Sequence, residues 1–144
     1  YSADSPSPDL SFFYSRDYVY ELAGEYGETG RQAYVQARYT FDIAWPLVYT
    51  LFLATSISWT FSRSFPAGNR WLLVNLAPLA AMLFDLLENL STSLVMLVYP
   101  DQVPLAAWLA PLFTLFKWIF VGASFVLLVS GTILYLVKKI KSAH

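Results

Sequence analysis

The chain has 144 residues, of which 57% are hydrophobic, 18% aromatic and 13% charged, about half the charge of a soluble domain, so its composition indicates lipid as the solvent. The absence of Cys excludes disulfides, thiolate metal sites and cysteine nucleophiles, and the single His, His144, is terminal, so no metal or other cofactor is expected. A net charge of −1 without a basic surface also excludes nucleic acid as a partner.

The first 28 residues are expected to form an external region that precedes the membrane domain. Residues 1–10 are polar, contain prolines and serines, and favour an irregular arm without the basic start and apolar core of a signal peptide. Residues 15–26 are typical of a short amphipathic helix lying in the outer interface, with Gly27 as its C-terminal stop. Its apolar face consists of Val19, Leu22, Ala23 and Tyr26.

Residues 29–144 are predicted to form an all-α membrane domain, a bundle of three long transmembrane helices. A capping-box pattern predicts that the first helix begins near Gly30, well outside the membrane. The spans cover about residues 42–62, 71–99 and 105–137. The third segment could hold two helices, but two spans with a turn need about forty residues, so one long helix is expected.

The charges outside the spans predict the orientation of the bundle. Two tight turns, residues 64–69 and 99–104, are predicted from their Pro and polar residues. Arg63 and Arg70 flank the first turn, and three lysines without an acid occupy the C-terminal tail. Three spans place both basic segments on one side, which the positive-inside rule assigns to the cytoplasm. We therefore expect a multi-pass protein of the cell membrane with its N-terminus outside and its C-terminus in the cytoplasm.

The charged residues within the spans are expected to meet at one depth, just inside the outer interface. At 1.5 Å per residue from the cytoplasmic boundary, Asp85 and Glu88 lie at about 21 and 26 Å on the second helix. Asp42 lies at about 28 Å on the first helix, with Arg38 one turn above it, and Lys117 at about 31 Å on the third. Because charges in lipid are costly, salt bridges should link both cations to these carboxylates. The predicted cluster comprises Arg38, Asp42, Asp85, Glu88, Asn89 and Lys117.

Three roles are open for this polar cluster: an ionic network that fixes helix register, a ligand or substrate site, and a proton or ion relay. Three carboxylates against two cations leave one acid in excess, which keeps the functional roles open. A small-residue stripe on the third helix, Ala123, Leu127 and Gly131, is interpreted as a packing face. Trp45 and Trp118 are interpreted as anchors near the outer interface.

Three sequence runs resemble a group of small bacterial polytopic membrane proteins of unassigned function. They are YGETGRQAYVQARYTFDIAWPLVYT at residues 26–50, NLAPLAAMLFDLLENL at 75–90 and LFTLFKW at 112–118. The resemblance spans most of the chain from Tyr26 onward and implies no activity. It singles out Arg31, Asp42, Pro46, Asp85, Glu88, Asn89 and Lys117.

Two functions compete on these observations. The first is an accessory or assembly subunit of a membrane complex, which associates with a membrane-protein partner or with itself; the lack of a complete catalytic set favours it over an enzyme. The second is an outer-leaflet protein or enzyme that binds a lipid or other amphiphile. There Glu88 or Asp85 would be the general acid or base, and Lys117 and Arg38 would hold an anionic group. A proton-coupled carrier is disfavoured because the cytoplasmic half of the spans lacks ionisable residues.

Overall fold

Helices account for almost the whole computed structural model, which describes residue 8 and residues 11–142; no strand occurs in that part of the chain. The predicted irregular arm at residues 1–10, apart from residue 8, and His144 lie outside the described residues. The helices are α1 (Arg16–Ser64), α2 (Ala77–Val98), which a 3-10 helix (Arg70–Leu76) precedes, and α3 (Pro104–Lys141).

The predicted number of long helices is confirmed. Three helical segments, Arg16–Ser64, Arg70–Val98 and Pro104–Lys141, are long and apolar enough to cross a membrane. The last segment is one unbroken α-helix of 38 residues, as the lack of an internal turn signal indicates. The chain is therefore an all-helical protein whose three apolar helices are compatible with a multi-pass membrane protein.

A break at Gly27 divides α1 into an N-terminal arm (residues 16–26) and a long arm (residues 28–64). The Ser15 side chain caps the N-terminal arm by accepting a hydrogen bond from the Tyr18 N–H. Gly27 has φ 61° and ψ −178°, a backbone conformation that is strongly unfavourable for any residue with a Cβ atom. Helical geometry resumes directly after it, earlier than the expected start near Gly30.

The apolar face of the N-terminal arm packs on protein. Val19, Leu22 and Ala23 are fully or almost fully buried, in one cluster with side chains from α2 and α3. The Tyr20 hydroxyl also accepts a hydrogen bond from the Val103 N–H, 2.9 Å away, at the start of α3. The arm thus lies along the C-terminal end of α2 and the N-terminal end of α3, so this face is not available to lipid. The proposed division of the chain between residues 28 and 29 stays a prediction.

On α2 the polar side chains are buried and many of the apolar side chains are exposed, which is the reverse of a helix in a soluble protein. The buried polar residues are Asp85, Glu88, Asn89, Ser91, Thr92 and Ser93. The exposed apolar residues include Leu79, Leu83, Leu86, Leu90, Leu94 and Leu97. In water such a leucine surface would be unfavourable, because each fully buried leucine side chain contributes about 1.5–3 kcal/mol relative to an exposed one. This distribution suits a helix whose outer face contacts lipid chains.

Two small apolar clusters hold the bundle together on either side of the polar residues. The cluster at the end near Gly27 contains apolar side chains of the N-terminal arm, Val95 and Met96 of α2, and three alanines of α3. The cluster at the opposite end contains Leu53, Ile57 and Phe61 of α1, with partly buried residues of the other elements. At that end the Lys138 Nζ donates to the Arg63 carbonyl oxygen at 2.9 Å, which brings the two basic segments together.

The close contact of α1 and α3 at Gly131 gives the first testable prediction. A Cβ on Gly131 would lie 2.5 Å from Thr60 Oγ1 and 2.6 Å from Phe61 Cε2, both on buried residues. Because the Thr60 side chain is short and stiff, Gly131→Ala should lower the free energy of unfolding by about 1–3 kcal/mol. Thermal and denaturant unfolding in a mild detergent measures this loss.

Gly122→Ala on the same helix is the matched control, since nothing lies within 4 Å of a Cβ there. It should leave the unfolding midpoint unchanged or raise it slightly, because Ala is the better helix former. Equal stabilities for the two variants would contradict the close packing of α1 on α3 at Gly131.

Candidate functional site

Lys117 of α3 lies between two carboxylates of α2 in the interior of the bundle. Its Nζ is 2.5 Å from Glu88 Oε2 and 3.2 Å from Asp85 Oδ1. The Glu88 side chain is fully buried, and the Lys117 and Asp85 side chains are 7% and 12% exposed. The i, i+3 spacing of Asp85 and Glu88 points both carboxylates from α2 towards the same face of α3.

Tyr14, just before the N-terminal arm, reaches the same ionic group. Its hydroxyl donates to Glu88 Oε1 at 3.4 Å and accepts a hydrogen bond from Thr114 Oγ1 at 3.1 Å. Thr114 lies about one turn before Lys117 on α3 and is fully buried. Glu88 is thus surrounded by hydrogen-bond donors from α3 and from the segment that precedes α1.

Sequence reasoning missed Tyr14 and Thr114. Tyr14 lies outside every apolar span, and one of many tyrosines in a polar segment carries no signal that it enters the bundle. Thr114 could have been noticed by its position three residues from Lys117, which places both residues on one face of α3.

Arg38 and Asp42 form a second ion pair within α1. Arg38 Nη1 is 2.5 Å from Asp42 Oδ2, at i, i+4 spacing. The guanidinium carbon also lies 4.4 Å from the centre of the fully buried Tyr34 ring. Asn89 of α2 donates to the Asp42 carbonyl oxygen at 3.5 Å and so connects the two ionic groups. The structure therefore brings all six residues of the predicted cluster into one region, as two linked groups.

A groove of about 380 Å³ between α1 and α3 opens beside these ion pairs. Its polar end contains Arg38, Asp42, Asp85 and Lys117. Its remaining lining is aromatic or apolar: Trp45, Pro46, Tyr49, Leu53, Trp118, Val121 and Phe125. Trp45 and Phe125 are more than half exposed, so the groove opens onto the side of the bundle. Its volume is in the range of small-molecule sites, about 300–1,000 Å³.

In the groove lining, the Tyr49 hydroxyl and the Trp118 indole nitrogen are buried and have no hydrogen-bond partner among the described residues 8 and 11–142. A buried polar group of this kind costs about 1–3 kcal/mol unless something satisfies it. A polar atom of a bound molecule in the groove could do so.

The ionisable residues of the described part of the chain form no group of three or more that could hold a metal ion. Comparison with protein-family models, curated proteins and solved structures found no match for this chain.

The buried ion pairs give the second testable prediction. Lys117→Met leaves Glu88 and Asp85 close together without their cation, which should cost about 3–5 kcal/mol in the free energy of unfolding. Combining Lys117→Met with Glu88→Gln removes most of this charge imbalance, so the double variant should be more stable than Lys117→Met alone. Reversible unfolding of the three variants in bicelles yields the coupling energy between the two residues.

Lys141→Met is the control, since this exposed lysine of the C-terminal tail should change stability by less than about 0.5 kcal/mol. If the losses from Lys117→Met and Glu88→Gln simply add, the two residues are not coupled, and Lys117 does not set the position of α3 against α2.

Proposed function

We propose that this chain is a multi-pass protein of the cell membrane that binds a lipid or similar amphiphile of the outer leaflet. The observation that carries this proposal is the groove between α1 and α3, which has charged residues at one end and apolar side chains at the other. An amphiphile has the same division, with a polar headgroup attached to an apolar chain. The groove opens onto the side of the bundle, where lipid chains would have direct access.

The position of the groove along the helices supports the outer leaflet. Lys117 lies 21 residues before Lys138, or about 31 Å along α3, which is the thickness of a hydrocarbon core. With the basic segments around Arg63 and Lys138 on the cytoplasmic side, the charged end of the groove reaches the outer headgroup region. The N-terminal arm of α1 and the loop between α2 and α3 then lie outside the membrane.

The apolar end of the groove lies deeper than its charges, as an inserted lipid chain requires. Along α3, Val121 and Phe125 follow Lys117 by one and two turns in the cytoplasmic direction. On α1, Leu53 follows Asp42 by three turns in the same direction. A headgroup beside Asp42 and Lys117 would therefore extend its chain between the two helices towards the bilayer centre.

Binding is better supported than catalysis. A general acid or base has to contact the bound molecule, and Asp85 lines the groove whereas Glu88 is fully buried. Every charged group at the polar end already has a partner of opposite charge in α1, α2 or α3. This arrangement suits recognition of a polar headgroup by pre-organised charges.

A second candidate function is an accessory or assembly subunit of a membrane complex. The observation that favours it is the outer face of α3, where the small residues Gly122 and Ser130 are exposed. Small residues on a lipid-facing surface allow another helix to approach closely.

Native mass spectrometry of the protein extracted in a mild detergent separates the two candidates. A second polypeptide in fixed stoichiometry supports the subunit, whereas a single chain or homo-oligomer with one retained lipid supports the groove.

The third prediction is that a phospholipid with a photoreactive diazirine in its acyl chain labels the groove. In nanodiscs the labelled positions, mapped by peptide mass spectrometry, should concentrate at Val121 and Phe125 of α3 and at Leu53 of α1. An excess of unlabelled lipid should suppress this labelling. Labels spread evenly over the exposed leucines and valines of all three helices would contradict a specific lipid site.

A pair of tryptophan substitutions on α3 provides the control. Val121→Trp places an indole in the groove and should reduce labelling at Leu53 and Phe125 by about tenfold or more, because it fills the volume of the bound chain. Val126→Trp places the same side chain on the exposed face, where Val126 is 65% exposed, and should leave labelling in the groove unchanged.

A further inference from the structure

The accessible charges at the polar end of the groove are carboxylates. The Asp42 side chain is 27% exposed and that of Asp85 is 12%, against 2% for Arg38 and 7% for Lys117. Arg38 lies between the Tyr34 ring and Asp42, and Lys117 lies between two carboxylates. The cations are therefore enclosed by their partners, and the groove presents negative charge to a bound headgroup.

Counted over the described residues, the summed charge of the site is also negative. Three carboxylates, Asp42, Asp85 and Glu88, accompany two cations, Arg38 and Lys117. An anionic headgroup would add a further negative charge to a site that already has an excess of one. An ammonium group on the headgroup would instead lie beside Asp42 and Asp85, and their attraction for it is screened less than at an open surface because both carboxylates are partly or largely buried.

Aromatic residues stand next to the accessible carboxylates. Trp45 and Tyr49 follow Asp42 by one and two turns on the same face of α1, and all three line the groove. Trp118 lines the groove from α3. The faces of tryptophan and tyrosine rings attract ammonium groups, and quaternary ammonium ligands in particular are bound by aromatic residues with a nearby carboxylate.

The two unsatisfied polar atoms fit the rest of such a headgroup. The Trp118 indole nitrogen can donate to a phosphate or ester oxygen, and the Tyr49 hydroxyl can donate or accept. A zwitterionic phospholipid carries its ammonium a few bonds from its phosphate, so one molecule can meet the carboxylates and these donors together.

We propose that the groove selects an outer-leaflet phospholipid whose headgroup carries an ammonium group, held between Asp42, Asp85 and the rings of Trp45 and Tyr49. This inference rests on the proposed function, since it specifies the headgroup of the lipid that the groove binds. It also reverses the assignment that the sequence suggested, in which Lys117 and Arg38 hold an anionic group.

The test is competition against the photoreactive lipid with probes that share a twelve-carbon chain and differ in headgroup. The probes are dodecylphosphocholine, dodecyltrimethylammonium, dodecyl phosphate and dodecyl maltoside, added to the full chain in nanodiscs. Both ammonium probes should halve labelling of the groove at about tenfold lower concentration than dodecyl phosphate. Tighter competition by dodecylphosphocholine than by dodecyltrimethylammonium supports the phospholipid, and the reverse order overturns it in favour of a simple cationic amphiphile.

The outcomes separate the two proposals. If dodecyl phosphate competes as well as the ammonium probes, the headgroup assignment fails while the lipid groove stands. If groove labelling is absent or no probe displaces it, the proposed function itself fails.

Substitutions at the carboxylates complete the test. Asp42→Asn should reduce the preference for ammonium over maltoside by about tenfold and leave competition by dodecyl maltoside unchanged. Asp85→Asn, on a different helix, should act in the same direction, so the test survives if one variant does not fold. Asp101→Asn is the matched control, because Asp101 is an exposed carboxylate in the loop before α3. An unchanged ammonium preference in a folded Asp42→Asn or Asp85→Asn protein would overturn the headgroup assignment.

Discussion

The rest of the structure depends on the pairing of Lys117 with Glu88 and Asp85. In a bundle whose outer surface is almost entirely apolar, these charges have favourable positions only beside one another. Because the two carboxylates lie one turn apart on α2, one lysine can reach both only at a narrow range of rotations and heights of α3. Tyr14 adds the segment before α1 to the same group through Glu88. One ionic interaction therefore fixes the relative positions of three parts of the chain.

The buried side chains of α2 and α3 are mostly small or polar, whereas six leucines of α2 are exposed on the outer surface. At Gly131 the absence of a side chain allows α1 and α3 to approach until a Cβ would overlap Thr60 and Phe61. About ten residues, or 15 Å, earlier on α3, Val121 lines an open groove instead. Pro46 and Trp45 of α1 line the same groove. Because α1 and α3 are in close contact at Gly131 but separate at Val121, an apolar space lies directly beside the buried charges.

This juxtaposition connects the packing of the helices to the proposed binding function. An ion pair that serves packing alone could be enclosed completely, as Glu88 is. Asp42 and Asp85 instead remain accessible from a groove that is lined by aromatic residues. The Tyr49 hydroxyl and the Trp118 indole nitrogen of this lining have no hydrogen-bond partner among the described residues. Asp85 thus pairs with Lys117 of α3 and also lines the groove, so the proposed roles of register device and binding site need not exclude one another.

The sequence by itself determined the number of long helices, their approximate limits and the break at Gly27, and it indicated that the charged residues of the three helices lie in one region. These properties follow from local composition and from the fixed rise of 1.5 Å per residue, which require no knowledge of neighbouring helices. Only the tertiary structure decided that Tyr14 reaches Glu88 and Thr114 reaches Tyr14, that the N-terminal arm packs on protein, and that Trp45 and Trp118 line a groove. Those outcomes depend on how each helix is rotated about its axis and on where two helices separate. Such rotations are set by contacts between residues up to 100 positions apart, as between Tyr14 and Thr114, and hydropathy does not encode them.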